Sequence, residues 1–139
     1  MKRATATCAR ILVIEDNRSD VFLLERALNR QKLLFELVHL LSGKEAFAFL
    51  HKEGAYADAA IPSLILVDLN LSKFTGEDIL REIRNTPRLR SVPVCVWSSS
   101  RSRKDAALLE SLGVLQFINK PAGLDQFMEI GKTVKDLLV

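Results

Sequence analysis

Cysteine is scarce in this chain of 139 residues: Cys8 and Cys95 are too few for a disulfide framework and show no metal-type spacing. Reduced thiols in a cytoplasmic protein are the expectation. Long apolar runs are missing as well, none approaching the ~20 residues of a membrane span. The opening nine residues, MKRATATCA, carry charge without the apolar stretch of a secretory signal. Nor is there a low-complexity segment, an internal repeat or a composition shift that would mark a second domain. A chain of this length fits one domain that buries about two thirds of its unfolded surface. The charge excess is small, +3 with a pI near 9.0. Basic residues gather between Arg81 and Arg103, around the apolar VPVCVW run, but no groove-reading helix or set of stacking aromatics accompanies them. This pattern predicts a solvated surface or an acidic protein partner, with neither nucleic acid nor membrane bound.

What the chain does have is alternation. Hydrophobic residues at 48% and charged residues at 27% are globular values, and strand patterns alternate with helix patterns five times. Arg10–Ile14 is a buried-type strand running into Glu15 and Asp16, followed by a helix over Ser19–Arg30 with Val21, Leu24, Ala27 and Leu28 on one face. Leu34–Leu40 is the second strand. Ser42 and Glu45 form a capping box opening a helix to about Glu53. The segment SLILVDLNLSKFTG, Ser63 to Gly76, contains the third strand, whose four apolar residues end at Asp68. Thr75 caps the third helix, which runs to about Thr86 before Pro87. Val94–Ser98 is the fourth strand, Ser102–Leu112 the fourth helix with Gly113 at its end, Val114–Ile118 the fifth strand and Leu124–Leu138 the last helix.

Such alternation with short connections predicts an α/β fold: a doubly wound parallel sheet of five strands with five helices. ILVI, LILV and VCVW are continuously apolar, as interior strands are. The second and fifth strands carry Glu36, His39 and Gln116 and belong at the edges. The expected order is the flavodoxin-like 2-1-3-4-5.

Polar groups then recur at one place. Glu15 and Asp16, Asp68, Ser98 and Lys120 all follow strands directly, so they fall on the carboxyl rim of the sheet, where ligands bind in such folds. Three converging carboxylates require a cation, and magnesium, with its preference for oxygen ligands, suits them. Lys120 adds a mobile positive charge and Ser98 a hydroxyl, both expected on the far side of Asp68 from the acidic pair, and a carboxylate nucleophile, a metal, a lysine and a hydroxyl together serve phosphoryl transfer. His39 and His51 are expected away from this rim in solvated or packing roles, and Trp97 in the core.

These residues resemble the receiver domain of two-component response regulators. The motifs are Glu15-Asp16 with Asn17, Asp68 after LILV, Ser98 after VCVW, and Lys120-Pro121 closing FINKP; together they cover the chain from Arg10 onward. The resemblance implies an N-terminal arm, residues 1–9, and a receiver domain, residues 10–139. It implies that Asp68 accepts a phosphoryl group from a sensor histidine kinase or phosphotransfer protein. Asp16 is then the direct magnesium ligand, Glu15 a water-mediated one, and the Asn70 carbonyl a further one. Ser98 bonds the phosphoryl group, Lys120 pairs with it, and Phe117 swings inward when Ser98 moves. Asn70 and Ser100 fall at positions that tune phosphoryl lifetime, and the Lys120-Pro121 bond is expected cis. Ser72 departs from the family, which commonly has proline there.

Within the family the EDNRSD start, the long connection from Gly54 to Ser63 and the WSSS run are similar to single-domain regulators that partner bacterial phytochromes. The fourth helix, with Arg103, Lys104 and Leu108, the fifth strand and the last helix form the expected face for a partner or a homodimer. Two other classes stand beside this one. A haloacid-dehalogenase-like phosphatase shares the aspartate nucleophile but wants a second aspartate where this chain has Asn70. A receiver-like adaptor that is never phosphorylated would have lost the acceptor, the acidic pair or the lysine.

Overall fold

Strand and helix alternate five times in the computed structural model, which describes residues 8–69, 71, 76–99 and 106–138, the side chains at 106 and 108 excepted. The elements are β1 (Ala9–Ile14), α1 (Arg18–Arg30), β2 (Phe35–Leu40), α2 (Gly43–Leu50), β3 (Leu64–Asp68), α3 (Gly76–Arg84), β4 (Val94–Ser98), α4 (Ala106–Ser111), β5 (Gln116–Asn119) and α5 (Leu124–Leu138). All strand pairs are parallel, in the order β2-β1-β3-β4-β5. Every residue of β3 and β4 is buried. The two edge strands are only partly buried, as their polar residues anticipated.

Strand alternation divides the core into two layers. Leu12, Ile14, Ile65, Val67, Val94 and Val96 face α2, α3 and α4. Ile11, Val13, Leu64, Leu66, Cys95 and Trp97 face α1 and α5. Among the described residues no helix is long and apolar enough to cross a membrane.

Local chemistry sets the element ends. The Ser42 hydroxyl accepts from Glu45 N at 3.2 Å, and the Glu45 carboxylate accepts from Leu41 N at 2.8 Å, so the capping box forms with its return bond one residue early. The second helix stops at Leu50, short of the expected Glu53, because Lys52 takes a φ of 56°. Arg88 then caps the exposed end, donating to the carbonyls of Phe49 and Leu50 at 3.3 and 2.7 Å. The third helix ends at Arg84, where residues before Pro87 leave the helical region. β5 starts two residues later than expected. Gly113 turns with a φ of 75°, and Val114 N is used to close the preceding helix on the Leu109 carbonyl at 3.1 Å. The expected cap Thr75, together with Ser72, Ser100, Arg103 and Lys104, lies outside the described residues, as does the side chain of Leu108.

Candidate functional site

The carboxyl ends of β1, β3 and β4 and the residue after β5 meet at one corner of the sheet. Asp68 ends β3 with only 4% of its surface exposed, and it stands beside Trp97 in the β3–β4 register. Glu15 follows β1 and is fully buried, whereas Asp16 is exposed. One carboxylate oxygen from each of Glu15, Asp16 and Asp68 lies within 4.8 Å of the others. The three predicted carboxylates are therefore together, and their oxygen donors suit a hard divalent cation.

Several local devices hold them. Glu15 N donates to the Leu40 carbonyl at 3.0 Å, and the Glu15 carboxylate accepts from Asn17 N at 3.1 Å. The Asn17 side chain caps α1 by accepting from Ser19 N and Asp20 N at 2.9 and 3.4 Å. On the other side Gly76 N donates to the Leu69 carbonyl at 3.2 Å, and a Cβ on Gly76 would stand 2.5 Å from the Asp68 carbonyl oxygen. Only glycine lets α3 begin so close to the acidic strand end.

Lys120 lies among these groups. Its ammonium donates to the Glu15 carboxylate and, at 3.0 Å, to Asp20, and it stands 3.6 Å from Asp68. It also lies 4.6 Å from the centre of the Trp97 ring. Burial opposes its charge, but the bonds to Glu15 and Asp20 and the charges of Glu15 and Asp68 outweigh that, so its pKa is raised and it remains an ammonium. Burial, and next the hydrogen bond with Asp68, push the Glu15 carboxyl up to about 8 against the pull of Lys120. Glu15 therefore keeps its proton to higher pH than an ordinary carboxylate.

Three expectations are corrected here. Lys120 was placed across Asp68 from the acidic pair, yet it bonds Glu15 directly. A fully buried carboxylate requires a close donor, and the lysine stem reaches it. His39 was expected to stay clear of the rim, but its ring Nε2 donates to the Glu15 carbonyl at 2.7 Å, tying β2 to the site. His51 does lie elsewhere, 2.7 Å from Glu82. Finally, no described peptide bond is cis, so the Lys120-Pro121 bond is trans. Trans is the favoured isomer by about 0.5–1 kcal/mol, and Lys120 reaches Glu15 without the turn back that a cis bond was expected to supply.

Ser98 ends β4, buried, and its carbonyl accepts from Lys120 N at 2.9 Å. Phe117, on β5, is half-buried against the layer containing Val96. Asn70 lies outside the described residues. Asp20 escaped the sequence reading, although an acid in the first turn of a helix that starts beside Glu15 was its available signal. A cavity of ≈ 350 Å³ lined by Arg10, Glu36, Phe49, Tyr56 and Pro62 sits at the opposite, amino-terminal end of the strands and is separate from this chemistry.

A buried carboxylate beside further carboxylates and an ammonium has the chemistry to accept a phosphoryl group and to hold the product charge. The model of the response regulator receiver domain family matches residues 11–132. Response regulator Rcp1 from Synechocystis is 34% identical over 120 residues, which are 86% of this chain and 82% of that protein. The crystal structure of the phosphorylated cyanobacterial phytochrome response regulator RcpA superimposes with a TM-score of 0.88 at 38% identity, covering 95% of this chain and 94% of that one. The manganese-bound form of Rcp1 superimposes with a TM-score of 0.84 at 32% identity, covering 92% of each chain.

Proposed function

Because this chain belongs to the response regulator receiver domain family of two-component signalling, we propose that Asp68 is its phosphoacceptor. The observation carrying this reading is the buried Asp68 carboxylate grouped with Glu15 and Asp16, with Lys120 at 3.6 Å. An Asp68 oxygen attacks the phosphorus of a phosphohistidine on a sensor histidine kinase or phosphotransfer protein. The P–N bond breaks, an acyl phosphate forms, and the imidazole leaves with a proton.

Glu15, Asp16 and Asp68 would hold magnesium, with the Asn70 carbonyl as a further ligand and Glu15 acting through water. When bound, magnesium offsets the charge of the phosphoryl oxygens. Lys120 pairs with one of those oxygens and the Ser98 hydroxyl donates to another. Movement of Ser98 toward the phosphoryl group gives Phe117 room to turn inward, which alters the face formed by α4, β5 and α5. That face meets a downstream partner or a second copy.

The similarity to the phytochrome response regulator RcpA favours a phytochrome-type kinase as the donor, and the reading places the exchange in the cytoplasm. The chain catalyses only its own phosphorylation and dephosphorylation. Incubation with magnesium and acetyl phosphate, followed by intact mass measurement, tests the reading. The parent should gain one phosphoryl group and Asp68→Asn none. An adduct on both moves the acceptor elsewhere, and steady turnover of a small phosphate ester would point to a phosphatase.

A further inference from the structure

Trp97 is the chain's one tryptophan and is fully buried. A buried indole ordinarily directs its N–H at an acceptor, yet Trp97 Nε1 has no hydrogen-bond partner among the described residues. Phenylalanine or leucine would fill this layer without that burden. What an indole supplies beyond volume is its face, the strongest aromatic partner for a cation. The Trp97 face is in use: Lys120 Nζ stands 4.6 Å from the ring centroid, within the range of a cation–π contact. Phe127 steadies the ring from the α5 side, edge-on, with centroids 6.1 Å apart and planes at 69°. Trp97 is also the register partner of Asp68, so the ring hangs from the residue beside the acidic strand end.

Resting on the reading of Asp68 as acceptor, we propose that Trp97 is a positioning residue for Lys120, its indole face keeping the ammonium beside Asp68 when a divalent cation engages the carboxylates. Lys120 is drawn to Glu15, Asp20 and Asp68. Two of these belong to the cluster that suits the cation. Charge neutralised there no longer attracts the lysine, and a divalent ion repels it. The indole carries no charge to neutralise and does not ionise near neutral pH. Its pull persists when that of the carboxylates fades.

Two measurements test this. In lysine-labelled protein the Lys120 ε-methylene resonances should be shifted upfield by the ring current, both without metal and with magnesium added, and the shift should vanish in Trp97→Leu. Since tryptophan occurs once, fluorinated tryptophans can enter at this position alone, withdrawing π-electron density with little change in volume. Phosphorylation by acetyl phosphate at saturating magnesium should slow stepwise with fluorine count, by about tenfold across the series, while the melting temperature holds. A flat rate, a rate that follows melting temperature instead, or a shift lost on adding magnesium overturns the proposal. A parent that takes up no phosphoryl group defeats the acceptor reading separately, and the ring-current shift then decides alone whether the ring holds the lysine.

Discussion

Cys95 pairs with Leu66 on one side and Gln116 on the other, in the middle of the sheet. Burial pushes its thiol up to about 11, slightly offset by a backbone hydrogen bond at Gln116. The thiolate is the reactive form, so Cys95 should stay inert to a disulfide reagent at pH 8 while exposed Cys8 reacts. Native protein should release one equivalent of reporter thiol and denatured protein two. Two from the native state would mean that the sheet centre opens readily. The sign for stability follows: the folded form favours the protonated thiol, so this contribution is intact below the ordinary value of 9.0 and declines as pH rises from there toward 11. Burial of Cys95 was legible because VCVW is a continuous apolar run. Asp20 was not, since its contact with Lys120 joins residues 100 positions apart and only the folded rim brings them together.

Two glycines show how closely the helices approach their neighbours. A Cβ on Gly131 of α5 would collide with the Ala27 carbonyl of α1, and one on Gly76 would meet the backbone of Asp68 and Leu69. Gly131→Ala should therefore cost about 1–3 kcal/mol, read as a lower urea midpoint, with phosphorylation retained. Gly76→Ala should lower the midpoint comparably and, with Asp68 as the proposed acceptor, also slow phosphorylation, because relief of its clash displaces the Asp68 strand end or the start of α3. Equal phosphorylation rates in the two variants would show that the Asp68 backbone tolerates the intrusion. Helix existence and faces were readable from apolar spacing, as in Val21, Leu24, Ala27 and Leu28, all buried as expected. Helix ends were less so. The second helix closes at Leu50 through Lys52 and through Arg88, which is distant in sequence and reaches across to its carbonyls.

Both layers of the molecule hang on one sheet, and successive residues of β1, β3 and β4 serve opposite layers. Neither layer can melt while the other keeps its strands in register, so unfolding should be a single cooperative transition. Trp97 emission and far-ultraviolet dichroism should give coincident curves in urea, and separated midpoints would identify a layer that opens first. Strand order was legible because edge and interior strands differ in polarity. The arrangement of Lys120 was not, because it depends on which buried carboxylate most needs a donor. Lys120 and Ser98 are also joined directly, through the Lys120 amide and the Ser98 carbonyl. That link ties the main chain of the two rim residues together, so neither the end of β4 nor the residue after β5 can shift without straining the other.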